Sequence, residues 1–92
     1  MSKEDNMMAG FTIVAIAGDA RREVMAAMQA AKDKSFDQAR EYIRVANEYI
    51  TEAHKEQTQI LAQEASGESS DLSFIMVHGQ DHLMTTMAFR DA

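Results

Sequence analysis

The fold is decided by residues 35–65, SFDQAREYIRVANEYITEAHKEQTQILAQEA. Positions spaced alternately by three and four residues form a mostly apolar seam: Phe36, Ala39, Ile43, Ala46, Ile50, Ala53, Gln57 and Ile60. This spacing is typical of a helix that packs against other helices at a left-handed crossing. Ser35, followed three residues later by Gln38, predicts a capping box at the start of this helix. The segment therefore predicts one long helix that ends near Ala65.

Two further helices are predicted on either side of this segment. The first runs from about Lys3 to Lys32 and is rich in alanine, with Gly18 as the place where it is expected to bend. The third begins at Ser70 or Asp71, after a loop at residues 66–71, and continues to the end of the chain. The sequence contains no proline. We therefore predict an all-α fold, a left-handed up-down-up antiparallel three-helix bundle in a single domain over residues 1–92.

Composition narrows the classes of function. A chain of 92 residues buries only about 60–65% of its unfolded surface, so oligomerisation is the expected source of further burial. The net charge is −6, which argues against nucleic-acid binding. No stretch is long and apolar enough to cross a membrane, and cysteine is absent. These features predict a cytoplasmic protein that contacts other proteins.

The distinctive chemistry lies in residues 77–84, VHGQDHLM. At about 100° per residue, one face of the third helix collects four polar side chains: His78, Asp81, His82 and Thr85. The roughly opposite side is predicted to carry Met76, Gln80, Leu83, Met84 and Met87. Polar groups on an otherwise apolar helix need partners, because their burial without partners is unfavourable.

Three interpretations of this polar face compete. In the first, one imidazole is a nucleophile that carries a phosphoryl group, with the other histidine as a hydrogen-bond donor to it. In the second, His78, His82 and Asp81 hold a metal ion, although the glutamate of an HExxH motif is absent and His54 lies on another helix. In the third, the histidines only make structural contacts in a helical oligomer. The motif alone leaves all three open.

The wider sequence resembles the lactose/cellobiose-specific enzyme IIA family of the sugar phosphotransferase system. The resemblance rests on three stretches in order: GFTIVAIAGDAR at residues 10–21, EAHKEQTQILAQEASGE at residues 52–68 and VHGQDHLMTTM at residues 77–87. Members of the family are three-helix subunits that form trimers of nine helices, with active sites between subunits. They take a phosphoryl group from HPr and pass it to a cysteine of the IIB or IIBC permease component. The resemblance therefore implies a phosphohistidine carrier for lactose, cellobiose or chitobiose uptake that meets the membrane only through the permease.

The resemblance also implies roles for single residues. His78 is the phosphoryl acceptor, through Nε2, and His82 stabilises the phosphoryl group. Gln80 belongs to the same motif and is a further candidate site residue, but the helical period turns it away from His78, so it either contacts a neighbouring helix or subunit or serves only in packing. Asp81 matches the carboxylate whose three copies meet on the trimer axis. Because oxygen ligands favour a hard cation, Mg²⁺ is the expected ion there.

Four features remain outside these roles. Many relatives have alanine at the position of Gly79. The glycine is typical of the lactose branch, and it allows the close approach of a partner backbone or a phosphate. Relatives usually continue the last helix by a few turns beyond the point that matches Ala92, which predicts a weaker trimer here. His54 is expected to be a structural histidine, and the small residues around Gly18 are expected to line the cleft.

Overall fold

Three helices form the fold, as the sequence predicts. The computed structural model describes residues 2–67 and 73–92, with every side chain in these ranges except that of Phe74. The helices are α1 (Lys3–Lys32), α2 (Phe36–Ala65) and α3 (Phe74–Asp91). The predicted bounds of α1 and α2 agree with these. The predicted start of α3 was too early: Ser70 and Asp71 lie outside the described residues, and the helix begins at Phe74.

Side-chain hydrogen bonds between elements fix the direction of each helix. They include the pairs Asn6–Ser73, Arg21–Thr85, Gln57–Gln80 and Asn47–Arg90. Residue numbers rise together along α1 and α3, so these two helices are parallel. They fall along α2 as they rise along α3, so α2 runs the other way. The predicted up-down-up order is confirmed.

The core lies along α1, which packs against both other helices. Small side chains predominate there, so the helix axes approach closely. The buried apolar residues are Ile13, Ala17, Ala20, Val24, Ala27 and Ala30 of α1, Ala46, Ile50, Ala53 and Ile60 of α2, and Met76 and Leu83 of α3. The seam predicted along α2 is therefore confirmed in its second half. Phe36 is exposed, because α3 ends beside Asn47 and leaves the first turns of α2 uncovered.

The connection between α1 and α2 differs from the prediction. The amides of Lys34 and Ser35 donate to the carbonyls of Ala31 and Ala30, which is the Schellman pattern of a helix end. Lys34 adopts the left-handed conformation that this pattern requires, with φ of 62°. Ser35 then has ψ of 69° instead of the extended value of an N-cap, and its side chain makes no capping hydrogen bond. The expected capping box at Ser35 and Gln38 is therefore wrong.

α1 continues as one helix through Gly18, the position at which the sequence predicts a bend. A Cβ atom added at Gly18 would have no atom to meet within 4 Å. Within the described ranges, no helix combines the length and apolar character that crossing a bilayer needs.

Candidate functional site

The start of α3 is held by a buried polar cluster at the N-terminal end of the bundle. Ser73 is the N-cap, and its Oγ accepts a hydrogen bond of 3.2 Å from the amide of Met76. The same hydroxyl donates to Oδ1 of Asn6, at 2.8 Å, and the amide of Ser73 donates to that oxygen at 3.0 Å. Asn6 is fully buried. Because α1 supplies the acceptor, the position where α3 begins is tied to α1.

Two glycines bring α3 onto the backbone of α1. A Cβ atom at Gly10 would lie 2.7 Å from the amide nitrogen of Met76 and 2.8 Å from the carbonyl carbon of Ile75. A Cβ atom at Gly79 would lie 2.9 Å from the carbonyl oxygen of Gly10. The close approach expected at Gly79 therefore occurs, and its partner is the backbone of α1. This contact fixes the segment of α3 that carries His78.

The two histidines form the centre of the site. His78 is exposed and His82 is half-buried, one turn further along α3. Their ring centroids are 4.4 Å apart, and the planes meet at 79° in an edge-to-face arrangement. Asp81 and Thr85 are exposed beside them. The predicted grouping on one side of α3 is confirmed for the two histidines, and His78 is open to a partner protein.

The surroundings of His82 favour one of the two ring nitrogens as the hydrogen-bond donor. Nδ1 is buried and has no hydrogen-bond partner among the residues that the structure describes. A proton on Nδ1 would therefore lack an acceptor there, and leaving a buried donor unpaired is unfavourable. The favoured neutral tautomer carries its proton on Nε2. His82 is thus suited to donate one hydrogen bond from Nε2.

The other side of α3 faces the core and α2. Met76 and Leu83 are buried there, and Gln80 accepts a hydrogen bond from Nε2 of Gln57 on α2. Gln80 is therefore directed towards a neighbouring helix of its own chain and away from His78, as the helical period indicated. Met84 also lies on this side, as predicted: Nε2 of Gln57 is 3.8 Å from its Sδ, although the side chain is 52% exposed.

Arg21 is a residue at this site that sequence reasoning missed. It extends from α1 to α3, where Nη2 donates a hydrogen bond of 3.0 Å to Oγ1 of Thr85. Its guanidinium carbon lies 6.0 Å from the ring centroid of Phe89. One signal was available: Arg21 closes the matched stretch at residues 10–21.

The remaining predicted groups lie elsewhere or do not converge. His54, which we expected to be a structural histidine, is exposed on α2, where it lines a groove with Arg90. Over residues 2–67 and 73–92, no three histidine, cysteine or acidic side chains of one chain are close enough to hold a metal ion. The three-ligand site of His78, His82 and Asp81 is therefore not formed within a single chain.

Comparison with known proteins agrees with this arrangement. Residues 8–92 match the family described as "PTS system, Lactose/Cellobiose specific IIA subunit". The lactose-specific EIIA component of Staphylococcus epidermidis is 52% identical over 99% of this chain and 88% of its own length. The lactose-specific EIIA component of Lacticaseibacillus casei is 52% identical over 98% of this chain and 80% of its own length.

Two solved structures are also similar. The crystal structure of PtcA from S. mutans superposes with a TM-score of 0.96 at 40% identity and covers 99% of this chain and 89% of its own. The cellobiose-specific enzyme IIA from Bacillus anthracis has a TM-score of 0.88 at 36% identity and covers 91% and 77%. The sequence comparisons and the structural comparisons thus identify the same family over nearly the whole length of this chain. The chain belongs to the lactose/cellobiose-specific IIA family and is a phosphotransfer component of a sugar phosphotransferase system.

Proposed function

We propose that this protein is a phosphohistidine carrier in which Nε2 of His78 accepts a phosphoryl group from HPr and passes it to the cysteine of IIB. One observation supports this most directly: His78 is exposed on α3, edge-to-face with His82, in a segment that the family match includes. A carrier needs a nucleophile that two different partner proteins approach in turn, and an exposed imidazole on a rigid helix meets this need. We place the reaction in the cytoplasm, on the inner side of the permease.

The chemistry needs only one nucleophile. The lone pair of His78 Nε2 attacks the phosphorus of the donor phosphohistidine, and a new N–P bond forms as the donor N–P bond breaks. The electron pair of the broken bond stays on the donor imidazole. In the second transfer, a cysteine thiolate attacks the same phosphorus, an S–P bond forms and His78 recovers its lone pair. No external base is required, since the nucleophile is a neutral ring nitrogen in the first step and a thiolate in the second.

The neighbouring residues assist without forming bonds to phosphorus. His82 Nε2 donates a hydrogen bond to a phosphoryl oxygen, consistent with the burial of its Nδ1. Gln80 is bonded to Gln57, so we assign it the role of holding α3 against α2. Gly10 and Gly79 keep α3 in place on α1. Transfer then depends on positioning and on stabilising the charge at phosphorus.

We further propose that the protein works as a trimer assembled through α3. A row of exposed residues follows the heptad spacing on this helix: Val77, Asp81, Met84 and Ala88. Val77 and Met84 are 55% and 52% exposed, so the single chain leaves two large apolar side chains in this row open to solvent. Three such rows, one from each subunit, would bury these side chains in a common seam.

Asp81 fits a divalent cation on the axis of this trimer. Its carboxylate is exposed between Val77 and Met84, and it makes no ion pair within the described part of the chain. Three such carboxylates in an apolar seam repel each other unless a cation or a proton offsets their charge. A bound Mg²⁺ would supply that positive charge through oxygen ligands.

Phosphorylation of the purified protein tests the carrier proposal. Incubation with phosphoenolpyruvate, enzyme I and HPr is expected to add one phosphoryl group, about 80 Da by intact mass, and the group is labile in acid as a phosphoramidate. The variant His78→Ala takes up none. The matched control is His54→Ala, which removes an exposed histidine on α2 and retains full uptake. Uptake by His78→Ala equal to that of the unaltered protein would disprove the assignment.

Sedimentation and metal analysis test the axial site. We expect a trimer of the unaltered protein that retains about one divalent cation per three chains, because three carboxylates share the ion. Asp81→Leu removes the ligand and the repulsion together, so it is expected to remain trimeric and to lose the cation. A monomeric unaltered protein would rule out the trimer. Undiminished Mg²⁺ in Asp81→Leu would place the ion elsewhere.

A further inference from the structure

Arg21 differs from the other arginines in its partners. Four of the five arginines are paired with carboxylates, in the pairs Arg22–Asp19, Arg40–Asp37, Arg44–Glu41, Arg44–Glu48 and Arg90–Asp91. Arg21 has no such pair among the residues that the structure describes. The chain has 15 acidic and 9 basic residues, so carboxylates are not scarce. Arg21 therefore carries a positive charge that is not paired with a carboxylate in the described part of the chain.

The guanidinium group is held on the histidine side of α3. Nη2 donates to Oγ1 of Thr85, whose hydroxyl lies 2.8 Å from the carbonyl oxygen of Asp81. The ring of Phe89 lies against the guanidinium on the next turn. Thr85 comes one turn after His82 and two turns after His78 on the same helix. The positive charge of Arg21 therefore lies on the same side of α3 as His78 and His82, about one helical turn beyond His82.

The hydrogen bonds of Arg21 are incomplete. Its Nε is buried and has no partner in the described part of the chain. A guanidinium offers five N–H donors in a planar fork that fits phosphate oxygens. A guanidinium that no carboxylate offsets among the described residues favours an anion nearby through its charge. The anion that this side of α3 carries, in the function proposed above, is the phosphoryl group.

We infer that Arg21 is a positioning residue for phosphohistidine: held by Thr85 beside His82, its charge stabilises the phosphoryl group on His78. This rests on the proposed function. Arg21 forms and breaks no bond to phosphorus. It lowers the free energy of the phosphorylated carrier relative to phosphorylated HPr, and so favours loading of His78.

The size of the effect follows from the spacing along α3. Thr85 is seven residues after His78, which is about 10 Å along a helix axis. One positive charge at this distance from a phosphoryl group, in a partly solvated site, shifts the transfer equilibrium by about five- to tenfold. Salt reduces the effect, because the Debye length falls from about 14 Å at 50 mM to about 4 Å at 500 mM.

The equilibrium of phosphoryl exchange between HPr and the full-length protein tests this inference. It is measured by intact mass after enzyme I and phosphoenolpyruvate have been removed. Arg21→Gln is expected to lower the equilibrium constant by about five- to tenfold, and Arg21→Lys to restore most of it. The control Arg22→Gln removes the same charge one residue away and leaves the constant unchanged, since Arg22 is paired with Asp19. The deficit of Arg21→Gln is expected to shrink in 500 mM salt.

Several outcomes would overturn the inference. An equilibrium constant for Arg21→Gln equal to that of the unaltered protein excludes a role for the charge. Equal losses in Arg21→Gln and Arg21→Lys, together with a lower melting temperature, indicate a structural residue. A higher KM for HPr at an unchanged equilibrium constant indicates a docking residue. If the unaltered protein takes up no phosphoryl group, the proposed function itself fails, which is distinct from each of these results.

Discussion

The two ends of the contact between α1 and α3 are built in different ways. At the N-terminal end, Gly10 and Gly79 bring the helix backbones together, and Asn6 satisfies the buried donors of Ser73. At the C-terminal end, Arg21 reaches an exposed Thr85, and its Nε is left without a partner among the described residues. At the N-terminal end, the helices are in close contact and the buried donors of Ser73 are paired. At the C-terminal end, Arg21 has a hydrogen-bond donor and a positive charge that no described residue pairs.

The difference separates structural support from charge supply. The histidines lie between the two ends, on helix turns that follow directly from the N-terminal end. A rigid attachment on one side limits how far His78 moves when a partner binds, which transfer between aligned atoms requires. A charge on the other side tunes how strongly the site holds an anion. Substitutions at the N-terminal end are therefore expected to change stability, and those at the C-terminal end to change phosphoryl transfer.

The largest effect is expected at Gly10. In Gly10→Ala the new Cβ would overlap backbone atoms of Ile75 and Met76, which have no side-chain freedom to move aside. The helices must separate, and we expect a loss of about 3 kcal/mol in the free energy of unfolding, measured by urea denaturation. This loss exceeds the gain of about 1 kcal/mol that alanine brings to a helix.

Gly18→Ala is the matched control on the same helix. No atom lies within 4 Å of its added Cβ, so only the helix propensity changes. We expect Gly18→Ala to stabilise the protein by about 0.5–1 kcal/mol. Similar changes in stability for the two variants would contradict the close contact between α1 and α3.

The sequence predicts the features that depend on local patterns. The extents of α1 and α2 follow from local composition and spacing, the alanine-rich run of α1 and the three-and-four spacing of α2, and the grouping of His78 with His82 follows from the helical period. These features need only neighbours three or four residues apart. The expected capping box at Ser35 failed because the preceding turn fixes Ser35 in another backbone conformation.

Features that depend on distant residues were not predictable in this way. The cap of α3 at Ser73 depends on Asn6, 67 residues earlier in the chain. Arg21 and Thr85 are 64 residues apart, and no local pattern indicates that they meet. The close approach at Gly79 was predicted, but its partner was not, because glycine specifies only that something comes near. The sequence therefore predicts which residues carry the chemistry better than it predicts what surrounds them.

Effects on stability smaller than that of Gly10→Ala are expected from a pair of hydrogen-bond deletions, one at each end. Asn6→Ala leaves the amide and hydroxyl of Ser73 without their buried acceptor, so we expect a loss of about 2 kcal/mol in urea denaturation. Thr85→Val removes a bond between partly exposed side chains while keeping the shape, and is expected to change stability by about 0.5 kcal/mol or less.

The same pair separates the two roles in phosphoryl transfer. Thr85→Val frees Arg21 from its anchor, so the exchange equilibrium with HPr should fall by about two- to threefold, less than in Arg21→Gln, because the charge remains nearby. Asn6→Ala leaves that equilibrium unchanged in the folded fraction, because it alters no charge near His78. If Thr85→Val costs as much stability as Asn6→Ala, the C-terminal end is a structural contact like the other. The division between a supporting end and a charge-supplying end would then be wrong.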